Sequence, residues 1–153
     1  MLEIAMRQLS PVFVAALMQI GLFCPYAALA ERLDGPVPGT VEKVTDGDTF
    51  LIKAKIWLGQ ELVVKVRLAD VDTPELTRPK CEAERDLAKR AKVFAANRLL
   101  GRGVLLHDIR HGKYAGRVVA KITTAEGDLG EHLLNAGLAR SYKDKATSWC
   151  PTS

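Results

Sequence analysis

Apolar and polar residues alternate along residues 40–68 with a period of two, interrupted twice by turn residues, which predicts three consecutive strands. They are residues 40–44, 49–56 and 62–68, separated by the tight turn Thr45-Asp-Gly-Asp48 and by the hairpin turn Leu58-Gly-Gln-Glu61. After Pro79 the period lengthens. Leu87, Ala91, Phe94, Ala95 and Leu99 fall on one side of a helix that Gly101 ends, with Glu84, Arg85, Lys89, Arg90 and Lys92 as its solvated face. Residues 103–109 and 117–123 read as a fourth and fifth strand. Asp128-Leu-Gly-Glu131 is a capping box for a short helix running through Ala136 and closed by Gly137. Residues 138–142 form a last extended piece before an irregular tail. Five strands with a helix between the third and fourth predict a mainly β fold with α, in the order of a five-stranded OB-type barrel.

The third strand runs into Arg67-Leu-Ala-Asp-Val-Asp-Thr-Pro-Glu75. Pro74 cannot donate to a ladder and biases Thr73 towards an extended conformation, so the strand stops there. Arg67 lies on the face opposite Leu68, and Asp70 and Asp72 follow at even steps. A strand end that projects a cation and three carboxylates into a turn is a common location for ligand chemistry.

The N-terminus changes the picture of where this chemistry takes place. Arg7, an apolar stretch over residues 11–23 and Ala28-Leu-Ala30 read as a secretory signal cleaved after Ala30. The competing reading is an uncleaved anchor, since residues 9–30 approach the roughly 20 needed to span a bilayer. Residues 31–39, rich in Pro and Gly, read as a linker, leaving residues 40–153 as one domain. Export makes the protein secreted or periplasmic. With Cys24 removed, Cys81 and Cys150 remain as an even pair for a disulfide in an oxidising compartment. Zinc fits poorly, because two cysteines and three scattered histidines lack ligand spacing.

Charge adds a weak hint. Lys and Arg number 22 against 18 Asp and Glu, a net charge of +4 that suits a polyanionic partner without requiring one. The side chains say more. Asp48 and Asp72 converge if the first and third strands are neighbours. With the backbone carbonyl of Thr73 they would form an all-oxygen site for Ca²⁺. Glu75 is placed to deprotonate water, and Arg67 and Arg117 offer permanently charged guanidinium groups that match phosphate oxygens. Singly, each Asp is as readily a turn-former, Glu75 a solvated residue and each Arg a surface residue. Together they suit metal-assisted attack of water on a phosphodiester.

Three motifs then carry a family resemblance. Val44-Thr-Asp-Gly-Asp-Thr49, Arg67-Leu-Ala-Asp-Val-Asp-Thr-Pro-Glu75 and Lys113-Tyr-Ala-Gly-Arg117 resemble the thermonuclease family, of which staphylococcal nuclease is the type. The resemblance runs from about Val41 to Tyr142, in order and spacing. It implies an OB-fold barrel and Ca²⁺-dependent cleavage of DNA and RNA to 3′-phosphate products. Asp48, Asp72 and Thr73 would hold the metal, Glu75 would be the general base, and Arg67 and Arg117 would bind phosphate. Lys113 and Tyr114 would contact a terminal phosphate. Two departures stand out: Ala115 is an extra residue before Gly116, and Gly112 replaces the Asp that often opens the third motif.

The expected partners are DNA and RNA as substrates. A monomer is expected, with no stable protein partner and no membrane contact once the signal is removed. The family's long C-terminal helix has no counterpart after Tyr142, and a Cys81–Cys150 bond is expected to take over its clamping role. The alternative from another class is a non-catalytic OB module that binds nucleic acid or protein. His107, His111, His132, Trp57 and Trp149 receive no assigned role.

Overall fold

The computed structural model describes residues 32–151. The N-terminal apolar stretch and the cleavage expected after Ala30 lie outside the described residues. The strands are β1 (Arg32–Leu33), β2 (Val37–Asp46), β3 (Thr49–Trp57), β4 (Gln60–Leu68), β5 (Val71–Asp72), β6 (Gly103–His111), β7 (Arg117–Thr124), β8 (Gly127–Asp128) and β9 (Arg140–Ser141). The helices are α1 (Glu82–Leu99) and α2 (Leu129–Asn135), with a single 3₁₀ turn at Tyr142–Asp144.

Five of the strands close into a barrel. β2 pairs antiparallel with β3, β3 with β4, and β6 with β2. β4 runs parallel to β7, and β7 pairs antiparallel with β6 to complete the ring. The fold is therefore an OB-type α+β barrel, as the strand order predicted. Closure leaves no long barrel edge unpaired. The interior is filled by the inward-facing residues of alternating strands, among them Phe50, Ile52, Val66, Leu106 and Ile122, all at most 1% exposed.

Helix α1 caps one end of the barrel through Ala88, Ala91, Ala95 and Leu99, all fully buried. Three alanines on that face let its backbone approach closely, and Gly101 N–H donates to the Val41 carbonyl at 2.9 Å, fixing the helix end to β2. The face differs from the expected one at two places. Ala88 is buried, and so is Glu84, which was expected on the solvated face but is 4% exposed. The reason is a local hydrogen-bond requirement. The Glu84 carboxylate accepts from the Glu75 N–H at 3.3 Å and the Lys80 N–H at 2.6 Å, tying the loop before the helix to its first turn. Helix α2 begins as predicted, with Asp128 accepting from the Glu131 N–H at 3.0 Å.

Residues 32–39 are extended, as the Pro/Gly-rich sequence suggests, and they are also bonded to the barrel. Arg32 and Leu33 pair with Arg110 and Ile109, and Val37 to Gly39 pair with Leu106 to Val104. The Cys81–Cys150 disulfide is present, with Cα atoms 6.0 Å apart across a sequence separation of 69. It fixes the irregular tail to the start of α1. No helix among the described residues is long and apolar enough to cross a membrane.

Candidate active site

Everything around the site starts from the short turn between β2 and β3. A Cβ on Gly47 would lie 2.8 Å from the Ala91 Cβ and 3.0 Å from the Thr73 hydroxyl, so only glycine lets α1 and the β5 segment close over this turn. The packing drives Asp48 inward to 3% exposure. Asp48 and Asp72 do converge, but not because the first and third strands are neighbours. β3 lies between β2 and β4, and its first residue, Thr49, pairs with Arg67. The Leu68 N–H donates to the Asp48 carbonyl at 2.8 Å, which brings the turn alongside the end of β4. β5 then returns past the same point, and the Thr73 N–H donates to Asp48 Oδ2 at 3.4 Å.

Arg67 bridges the two carboxylates. Its Nη1 donates to Asp48 Oδ1 at 3.0 Å, and its Nη2 lies 3.0 Å from Asp48 Oδ2 and 3.3 Å from Asp72 Oδ1. Thr49 Oγ1 donates to Asp48 Oδ1 at 2.9 Å. Burial pushes the Asp48 carboxyl above the ordinary aspartate range, and Arg67, the Thr49 hydroxyl and the Thr73 N–H only partly offset it. Asp46, on the other side of Gly47, is likewise raised by burial, with the Gly47 N–H acting against it and the Asp48 and Glu75 charges reinforcing it. The turn therefore concentrates negative charge where solvent is scarce.

Arg67, Asp72, Glu75, Lys113, Tyr114 and Arg117 line one cleft of about 540 Å³. Glu75 sits just after Pro74, and its carboxylate accepts from the Thr77 N–H at 3.2 Å. Arg117 opens β7, reached by a loop in which the Gly112 N–H donates to the Arg117 carbonyl at 2.8 Å and the Arg117 N–H donates to the Tyr114 carbonyl at 3.3 Å. A Cβ on Gly112 would meet the Arg117 carbonyl oxygen at 2.6 Å, so a side chain at this motif position is sterically excluded here. Ala115 is accommodated by Gly116 at φ +73°. The Arg117 guanidinium carbon lies 4.8 Å from the Tyr114 ring centroid, and Lys113 Nζ 5.8 Å from it. The Arg117 Nε is buried with no hydrogen-bond partner among the described residues.

Some predicted residues stand outside the cleft surface. Asp48 sits behind Arg67 rather than on the wall, and Cys81 and Cys150 act only through their bond. The cleft also holds residues that sequence reasoning missed. Arg110 and Lys145 add cations to its lining, and Arg140 binds Asp72 from behind. Trp57, His107 and His132 stand away from the cleft lining. Trp57 is 73% exposed at a hairpin tip, His107 Nε2 is 3.0 Å from Thr123 Oγ1, and His132 Nε2 is 3.1 Å from the Glu126 carbonyl.

Two carboxylates that share one guanidinium, one of them buried at an ionisation cost, are the arrangement that a small divalent cation would relieve. The donors are all oxygen, which suits a hard ion such as Ca²⁺. Among the described residues no three His, Cys, Asp or Glu side chains cluster as a ready metal cage. A cation would therefore draw on Asp48 and Asp72 together with backbone oxygen and water. The donor set suits a hard divalent cation, with Arg67 the group that neutralises both carboxylates in its place.

A family model described as staphylococcal nuclease homologue matches residues 65–150, from the end of β4 through the disulfide. The chain belongs to the staphylococcal nuclease homologue family. No curated protein matches it. The matched span holds Arg67, Asp72, Thr73, Glu75, Lys113, Tyr114 and Arg117, while Asp48 lies before it and is tied in only by the contacts just described. A nuclease-homologue domain on an OB barrel, with a cation-rich cleft, implies nucleic acid as the molecule it binds.

Proposed function

We propose that this protein is an exported, Ca²⁺-dependent nuclease that hydrolyses phosphodiester bonds of DNA and RNA without regard to sugar, leaving 3′-phosphate ends. The observation that carries the reading is the meeting of Arg67, Asp72, Glu75 and Arg117 on one cleft, with Asp48 bonded to Arg67 behind it. Each supplies a part that phosphodiester hydrolysis needs and a simple binding module does not.

Arg67 and Arg117 hold the scissile phosphate by its non-bridging oxygens, their charge unaffected by pH. Glu75, anchored through its loop to Glu84, takes a proton from the attacking water. As charge builds on the phosphoryl oxygens, both guanidinium groups stabilise it, and Arg117 also faces the leaving 5′ oxygen. Bound between Asp48, Asp72 and the Thr73 carbonyl, Ca²⁺ would supply further positive charge beside the phosphate. Lys113 and Tyr114 hold a terminal phosphate of the substrate. The Cys81–Cys150 bond supports the reading of an oxidising, extracytoplasmic location, with the signal removed after Ala30.

End-group analysis tests the reaction class. Denatured DNA and RNA incubated with the protein and calcium should both yield fragments with 3′-phosphate and 5′-hydroxyl ends, and chelator should abolish the reaction. Fragments with 5′-phosphate ends, or DNA binding without cleavage, would contradict it. N-terminal sequencing of the exported protein should begin at Glu31, whereas an intact N-terminus would support the anchored form.

A further inference from the structure

Arg140 is the second guanidinium on Asp72, and none of the motifs includes it. β9 has only two residues, and its antiparallel pairing with β5 places Arg140 directly opposite Asp72. Arg140 Nη2 donates to Asp72 Oδ2 at 3.2 Å, while Arg67 Nη2 reaches Oδ1 at 3.3 Å. Each oxygen of the carboxylate thus has its own guanidinium, and turning the carboxylate breaks both contacts. Arg140 is itself held in place. Its Nη2 also donates to the Lys145 carbonyl at 3.0 Å, its Nη1 donates to the Thr147 carbonyl, and its guanidinium carbon lies 4.1 Å from the Trp149 ring centroid. The next residue, Cys150, is bonded to Cys81 at the start of α1. The tail therefore folds into a collar around one side chain, and that side chain points at a carboxylate of the site.

We propose that Arg140 is a positioning residue for Asp72, and that the disulfide-anchored tail through Trp149 serves to hold Arg140 there. The proposal rests on the reading of Asp72 as a calcium ligand. Charge and orientation make opposite predictions about this contact, which makes the proposal decidable. A fixed cation beside a ligating carboxylate repels a divalent ion, so an arginine acting through charge alone would weaken calcium binding, and its removal would tighten it. An arginine acting through orientation has the reverse effect. Partners that orient a ligating carboxylate typically change metal affinity by about 10–100-fold when they are removed.

Calorimetric titration of calcium into the protein, without nucleic acid and with thermal melts recorded alongside, tests this. Arg140→Gln is expected to weaken calcium binding about tenfold despite losing a positive charge. Arg140→Lys, which keeps the charge but not the planar fork, should stay with Arg140→Gln rather than recover. Trp149→Ala should weaken binding by a smaller factor. Added to Arg140→Gln it should do nothing more, because Trp149 acts through Arg140. Unchanged or tighter calcium binding in folded Arg140→Gln would overturn the proposal and leave Asp72 as a ligand. If that variant does not fold, unchanged affinity in Trp149→Ala overturns it instead. No calcium binding by the unaltered protein would remove the Asp72 reading, and the proposal with it.

Discussion

Gly47 and Asp48 show how one small residue can set the chemistry of its neighbour. A Cβ on Gly47 would collide with Ala91 and Thr73, so the turn sits tightly under α1 with Asp48 buried beside it. Gly47→Ala should therefore lower stability by about 1–3 kcal/mol in denaturant unfolding, the usual cost of overpacking. Wild-type stability would contradict the close approach. Asp48 itself gives a pH prediction. Burial raises its folded-state pKa above the unfolded value, so the folded chain takes up this proton before the unfolded chain does as pH falls. This one group therefore favours the folded state at pH below the unfolded pKa, and that advantage is lost as pH rises through the raised folded value. Proton and calcium compete for the same carboxylate, so as pH is lowered calcium affinity should already be falling in the interval just above the ordinary aspartate range. Affinity that holds flat across that interval would show that Asp48 is not a ligand. Motif spacing grouped Asp48, Asp72, Glu75 and both arginines as one candidate set, and the fold brings four of them to one cleft with Asp48 behind Arg67. Glu84 was not legible. An acidic residue in a first helical turn looks like one more solvated charge, and only the loop folding back supplies the two N–H groups that account for its burial.

At the scale of elements, periodicity gave every barrel strand and both helices, with ends that differ by a few residues because pairing continues past the alternating core. The Val37 end of β2 is such a case: its side chains look like a linker's, yet its backbone is paired with β6. What periodicity could not give was which strands touch. The parallel β4–β7 pair and the two-residue β5–β9 pair join positions far apart in sequence, and the second of these brings Arg140 to Asp72. The loop between β5 and α1 is held chiefly through Glu84. Glu84→Ala should leave two backbone donors without their acceptor, at about 1–3 kcal/mol of stability. It should also lower turnover, because Glu75 loses its anchor. A variant unchanged in both unfolding and turnover would show the loop to be held by other means.

For the whole molecule, the barrel provides the rigid frame and the disulfide closes the irregular C-terminal tail onto it. Across a separation of 69 residues, loss of the bond through Cys150→Ser should cost about 2–4 kcal/mol, read as a lowered melting temperature that reductant reproduces in the unaltered protein. A melting temperature indifferent to reductant would mean that the bond does not clamp the tail. Sequence marked Cys81 and Cys150 as a pair, and the bond between them is present. The contact of the neighbouring Trp149 with Arg140 needed the fold, since nothing in a Ser-Trp-Cys tail marks which side chain it will meet.

Whether this one cleft cuts nucleic acid is decided by hydrolysis of denatured DNA in calcium. Initial rates would be compared for the unaltered protein, Glu75→Gln and Arg117→Ala. Loss of Glu75, the proposed general base, should lower turnover by about 10²–10⁴-fold, and loss of Arg117 by about 10²–10³-fold, with both variants still folded and still binding DNA. Equal rates from all three proteins would show that hydrolysis does not depend on this cleft, and would leave an OB barrel that binds nucleic acid without cutting it.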